Sequence, residues 1–80
     1  MPEQRYQQEI KAFGKRLKEL RLEKGLIQLD LDLKAGMNRS EISKIENGQK
    51  NIEFLTIVKL AEALGVELYE FFRPERPGSE

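Results

Sequence analysis

The run Gln28-Leu29-Asp30-Leu31-Asp32-Leu33-Lys34-Ala35-Gly36-Met37-Asn38-Arg39-Ser40-Glu41-Ile42-Ser43-Lys44-Ile45-Glu46-Asn47-Gly48 decides the fold. Its first six residues alternate polar and apolar, which taken alone is the period of a strand. None of the six is β-branched, and a single short strand in an otherwise helical chain would have nothing to pair with. The stretch is therefore predicted helical from Gln28 to Ala35, with Gly36 closing it. On a helical wheel Leu31, Ala35 and Gln28 share one face, while Leu29 and Leu33 point the opposite way. Asn38-Arg39-Ser40-Glu41 has the form of a capping box, with Asn38 as N-cap and Glu41 reaching back to its amide. A further helix is predicted from Arg39 to Asn47, ended by Gly48.

Working outward, Gly25 and Gly65 supply the same stop signal. Before Gly25, Ile10, Phe13, Leu17 and Leu20 form an apolar stripe, so a first helix starts somewhere in residues 4–10 and ends near Lys24. After the polar Gln49-Lys50-Asn51, a stripe of Phe54, Ile57, Val58, Ala61 and Leu64 predicts a fourth helix ending at Gly65. Val66, Leu68, Phe71 and Phe72 predict a short fifth helix stopped by Pro74. The expected fold is all-α, a compact five-helix domain over residues 10–72. Residues 1–9 are an N-terminal arm or a helix extension, and residues 73–80 a disordered tail.

Composition narrows the chemistry. The 80 residues contain neither Cys nor His, so disulfides, thiol nucleophiles, imidazole bases and the usual zinc ligand sets are excluded. No phosphate-cradling glycine loop or cluster of titratable groups appears, and no enzyme activity and no cofactor are expected. No apolar run is long enough for a membrane span. The balance of 14 basic against 14 acidic side chains hides a gradient. Residues 1–24 carry net +3, 25–33 net −2, 34–50 net +2 and 51–80 net −3. A polyanionic partner would meet the first and third segments, with the acidic C-terminal third turned away.

On the third helix Ile42 and Ile45 mark the buried side. Ser40, Ser43, Lys44 and Asn47 lie farthest from them, and Arg39 stands at the N-terminal edge. Glu41 is assigned to the cap and Glu46 to the inner flank, so the outer face is polar and nearly free of acids. Such a helix fits the DNA major groove, where Arg binds guanine bidentately and Ser reads several base edges. An ordinary solvated helix face would look the same by composition alone. The order of elements adds weight, because a short helix, a glycine turn and a second short helix make the helix-turn-helix layout.

The landmarks Phe13-Gly14-Lys15-Arg16-Leu17-Lys18-Glu19-Leu20-Arg21, Lys24-Gly25-Leu26, Gln28, Lys34-Ala35-Gly36, Ile42-Ser43-Lys44-Ile45-Glu46-Asn47-Gly48 and Leu60-Ala61-Glu62-Ala63-Leu64-Gly65-Val66 fall in one register. Over residues 13–72 the chain resembles the phage-repressor and Cro (XRE-type) helix-turn-helix family, whose domain is lambda-repressor-like. The resemblance implies base reading by Arg39, Ser40 and Lys44, with Ser43 secondary. It implies phosphate contacts by Gln28, Asn38, Asn47 and Lys50. For three of these a structural role stands beside the contact: Asn38 as cap, Gln28 as a brace for backbone groups, and Asn47 as a helix end. Arg21 and Glu46 match a pair that clamps the first helix to the third.

Three positions depart from the pattern. Ile27 stands where the family has a Ser or Thr cap for the second helix. Asp32 stands where Ala is usual, so its carboxylate must find a donor or tilt outward. Leu29 and Leu33 replace polar residues. For that leucine pair the readings are a contact for the transcription machinery, a cover for the N-terminal arm through Tyr6 or Ile10, or scatter.

The function expected is a cytoplasmic, sequence-specific transcription regulator, with repression and activation both open, binding double-stranded DNA at a two-fold operator as a homodimer. Tyr69, Phe71 and Phe72 exceed the aromatic content a short helix needs for a small core, and at least one is expected in the dimer interface. The alternative is an antitoxin-like or other protein-interaction module on the same scaffold, with transcription machinery or a toxin as its partner.

Overall fold

In the computed structural model, which describes residues 2–73, four α-helices and a 3-10 helix follow one another: α1 Pro2–Glu23, α2 Gln28–Lys34, α3 Glu41–Glu46, α4 Phe54–Leu64, and the 3-10 helix Leu68–Phe72. No strand occurs among the described residues, so the alternation at Gln28–Leu33 is helical after all. Pro2 occupies the first helical position of α1, where its missing N–H costs nothing, and Glu3 lies in the favourable first turn. Residues 2–9 are thus part of α1 and lie exposed; they do not fold across α2. Leu29 and Leu33 remain 49% and 71% exposed, which removes the reading that an N-terminal arm covers them. The expected tail from residue 74 onward lies outside the described residues. No described helix is long and apolar enough to cross a membrane.

The core joins all five elements. Leu17 of α1, Leu31 of α2, Ile42 and Ile45 of α3, and Leu60 of α4 are its fully buried side chains, with Phe13, Leu20, Ala35, Ala61, Leu64 and Phe71 completing it. Burying one such Leu or Ile contributes about 1.5–3 kcal/mol. The α4 stripe is rotated relative to the expected one. Leu60, unassigned by the sequence pattern, is sealed beside Ala61 and Leu64, while Phe54 is 67% exposed.

Gly36 and Gly48 end the two helices that matter most. Each has φ near +70°, a conformation that carries no Cβ penalty in glycine. After Gly36, Met37 N–H donates to Asp32 O at 2.8 Å; after Gly48, Gln49 N–H donates to Lys44 O at 3.0 Å. These are the wrap-around bonds that satisfy carbonyls left over at a helix end. At the start of α2, Ile27 offers no side-chain acceptor, and only half of a capping box exists: Ile27 N–H donates to Asp30 Oδ2 at 3.0 Å.

The fifth element is a 3-10 helix held by one residue of α1. Arg16 Nε donates to Glu70 O at 2.7 Å, and its other nitrogens pair with Glu70 Oε1 and Glu19 Oε1. That bracket sets Phe71 against Phe13, ring centroids 5.1 Å apart. Phe71 is 2% exposed and belongs to the protomer's own core, which withdraws it from the expected dimer contacts. Tyr69 and Phe72 stay exposed, although the Phe72 ring also lies 5.8 Å from Phe13.

Candidate nucleic-acid interface

α3 is pinned to α1 along its C-terminal half by backbone approach and by charge. A Cβ at Gly14 would stand 2.8 Å from Glu46 O and closer still to Ile45 O, so only glycine lets the two helices pack this tightly. A Cβ at Gly48 would meet Lys11 Cγ at 2.8 Å, so the turn after α3 is pressed on α1 as well. Arg21 Nε donates to Glu46 Oε2 at 2.7 Å and Nη2 to Glu46 Oε1 at 3.1 Å, the two-pronged geometry that Arg forms with carboxylates. Its Nη1 donates to Leu26 O at 2.7 Å, tying in the loop before α2. The two side chains are 7% and 2% exposed, so this is a buried pair of the kind that punishes loss of either member.

α2 approaches from the other side. Gln28 Nε2 donates to Glu46 Oε1 at 3.0 Å, which gives Gln28 the bracing role. An amide NH₂ has two donors, and this bond uses one of them. Asp32, 3% exposed, has found its donor: Oδ1 accepts the Ile42 N–H at 3.1 Å.

The expected capping box at Asn38 does not form. α3 begins at Glu41, with Ser40 as its flanking residue at φ +72° and no side-chain cap bond. Asn38 instead accepts Glu41 N–H through its carbonyl at 3.2 Å, closing a turn over Asn38–Glu41. Freed of that role, Glu41 pairs with Lys50 Nζ at 3.1 Å. The pair corrects the cap assignment, since Glu41 does not cap, and it engages the Lys50 ammonium. Asn47 ends α3, with its N–H on Ser43 O at 3.1 Å.

The outward side of the turn and α3 then carries Arg39, Ser40 and Lys44, all exposed, with Ser43 half-buried beside them. The Arg39 guanidinium and the Lys44 ammonium make no hydrogen bond or ion pair among the described residues. Both acids of α3 are neutralised, Glu46 inside by Arg21 and Glu41 at the edge by Lys50. The turn and the short helix after it thus offer two uncommitted cations and two hydroxyls on a face without a free carboxylate, a set suited to base edges and phosphate oxygens.

A profile of the helix-turn-helix family matches residues 17–71. The chain belongs to that family, in its phage-repressor and Cro (XRE-type) branch. Members are DNA-binding transcription regulators rather than enzymes. The HTH-type transcriptional regulator y4dJ of Sinorhizobium fredii is 36% identical over 64 residues, covering 80% of this chain and 83% of that protein. The restriction-modification controller protein C.AhdI of Aeromonas hydrophila superimposes with a TM-score of 0.77 at 44% identity, over 79% of this chain and 96% of that one. The hypothetical transcription factor NHTF of Neisseria gives 0.78 at 30% identity, over 85% and 79%.

Three features of this helix-turn-helix protein escaped the sequence reading. Gly14 was legible in principle, since it interrupts the apolar stripe of α1 four residues after Ile10, where a glycine costs about 1 kcal/mol unless something approaches closely. Leu60 needed the rotation of α4 about its axis. The Asp32 bond needed the relative placement of two helices.

Proposed function

We propose that this protein regulates transcription by reading a two-fold operator as a homodimer, with α3 in the major groove of each half-site. Arg39 donates to a guanine, Ser40, Ser43 and Lys44 contact neighbouring base edges, and Asn38, Asn47 and the second Gln28 amide hydrogen hold phosphates. Lys50 reaches a phosphate only by sharing or leaving Glu41. The observation carrying this reading is the outer face of the turn and α3, which exposes the Arg39 and Lys44 side chains unpaired while Glu41 and Glu46 are each tied to a cation. Two-fold binding requires recognition helices about 34 Å apart, one DNA turn. The exposed Tyr69 and Phe72, with Leu55 on α4, are the apolar groups at hand for a symmetric contact.

Selection of bound duplexes from random sequence tests the reading directly. A pseudo-palindromic motif with half-sites one turn apart is expected, and enrichment of no motif would end it. Sedimentation should show a dimer at tens of micromolar protein; a monomer there would leave base reading standing and remove the two-fold arrangement. The match to 96% of a controller protein's length further supports a controller-type role, which predicts restriction and methyltransferase genes beside its own.

A further inference from the structure

We propose that Asp32 is a positioning residue for DNA reading: it caps α3 from the neighbouring helix and so releases the Ser40 hydroxyl to the DNA-facing surface. A helix start leaves N–H groups without intrahelical partners, and the flanking residue ordinarily satisfies the second or third of them from an extended backbone. Ser40 has the right chemistry and the wrong backbone. At φ +72° its side chain makes no cap bond, and it is the one non-glycine residue with positive φ among those described.

The bond Ser40 does not make is made by Asp32. Ile42 is the second residue of α3, and its N–H donates to Asp32 Oδ1 at 3.1 Å across ten residues of chain. The carboxylate is 3% exposed and comes from the buried side of α2, next to the fully buried Leu31. A carboxylate at a helix start is favoured by the partial positive charge there as well as by the hydrogen bond. The cap therefore approaches from beneath, not from the outer surface, where Asn38, Arg39 and Ser40 all lie exposed. One contact fixes the first turn of α3 relative to α2 and leaves the groove-facing hydroxyl uncommitted.

The inference rests on the operator-reading function proposed above, and the test separates the two. Wild type, Asp32→Ala and Asp32→Asn are titrated by fluorescence anisotropy against the duplex that wild type selects and against a scrambled duplex. Thermal melts and the ¹⁵N–¹H signal of the Ile42 amide accompany the titrations. Asp32→Ala should weaken the selected duplex by about tenfold, the worth of a lost cap, and the scrambled duplex by no more than about threefold. Asp32→Asn keeps an acceptor oxygen and should restore selected-duplex binding to within about threefold of wild type. The Ile42 amide should move upfield and exchange faster in the Ala variant alone. Parallel losses on both duplexes, unchanged binding in Asp32→Ala, or an Asn variant as weak as the Ala variant would each overturn the proposal. A wild-type chain that selects no motif would bring down the regulator reading itself, and with it the positioning role, while the Ile42 amide would still report the cap.

Discussion

The inner side of α3 carries Ile42, Ile45 and the Glu46 carboxylate, all closed off from solvent and each meeting a matched neighbour, whereas the outer side of α3 and the turn before it carries the Arg39, Ser40 and Lys44 side chains with no intramolecular obligation. Six helical residues are too few to hold their own conformation in water. The helix exists because α1 grips it through Gly14 and Arg21 and α2 grips it through Gln28 and Asp32. Tight fixation on one side is what allows polar freedom on the other. Changes on the inner side should consequently be felt as stability, and changes on the outer side as binding.

The strongest break of that division is Glu46→Ala. It strands the Arg21 guanidinium in a buried site and removes the acceptor of Gln28, so unfolding free energy should fall by about 3–5 kcal/mol, measured by urea denaturation. A loss under about 1 kcal/mol would show that Arg21 relaxes to solvent. Gly14→Ala should rank next. The added methyl meets backbone carbonyls that cannot rotate away, and overpacking of this type costs about 1–3 kcal/mol, offset in part by the higher helix propensity of Ala. A melting temperature at or above wild type would mean that α1 and α3 can separate freely.

On the outer side, Arg39→Ala should leave the melting curve in place and cost about 1–3 kcal/mol of operator affinity, with relaxed preference at one base pair per half-site. Lys50→Ala should weaken every duplex alike and lower the salt slope by less than one unit, since Lys50 shares its charge with Glu41. Equal loss of specificity in both variants would erase the distinction between reading and phosphate contact. The smallest effect belongs to Ser40→Gly, which removes the Cβ from a left-handed backbone and should leave stability between unchanged and about 1 kcal/mol higher. A clear destabilisation there would show that the Ser40 side chain contributes to the helix start.

Local signals carried far in this chain. Glycines after each α-helix and the spacing of Ile10, Phe13, Leu17 and Leu20 specify where helices end and turn their apolar faces, because these depend on backbone conformation within a few residues, whereas α1 begins at Pro2, ahead of the expected start in residues 4–10. The Arg21–Glu46 pair was readable too, through the family register and the wheel. Where two elements compete for the same group, the local signal misled. Asn38-Arg39-Ser40-Glu41 spells a capping box, yet the Asn38 carbonyl takes the Glu41 amide and Lys50 draws the Glu41 carboxylate away. Phe71 reads as an interface aromatic until Arg16 folds the 3-10 helix against Phe13.

Sequence alone therefore determined the helix-turn-helix order, the core stripe of α1 and the outward residues Arg39, Ser40 and Lys44, since periodicity and turn chemistry act over one or two helical turns. Tertiary structure alone decided which donor meets which acceptor: Asp32 with Ile42, Gln28 with Glu46, Lys50 with Glu41, and the Gly14 backbone against α3. Those pairings join residues separated by nine to thirty-two positions, and their geometry follows from how helices pack around Leu17, Leu31, Ile42, Ile45 and Leu60, which no local pattern encodes.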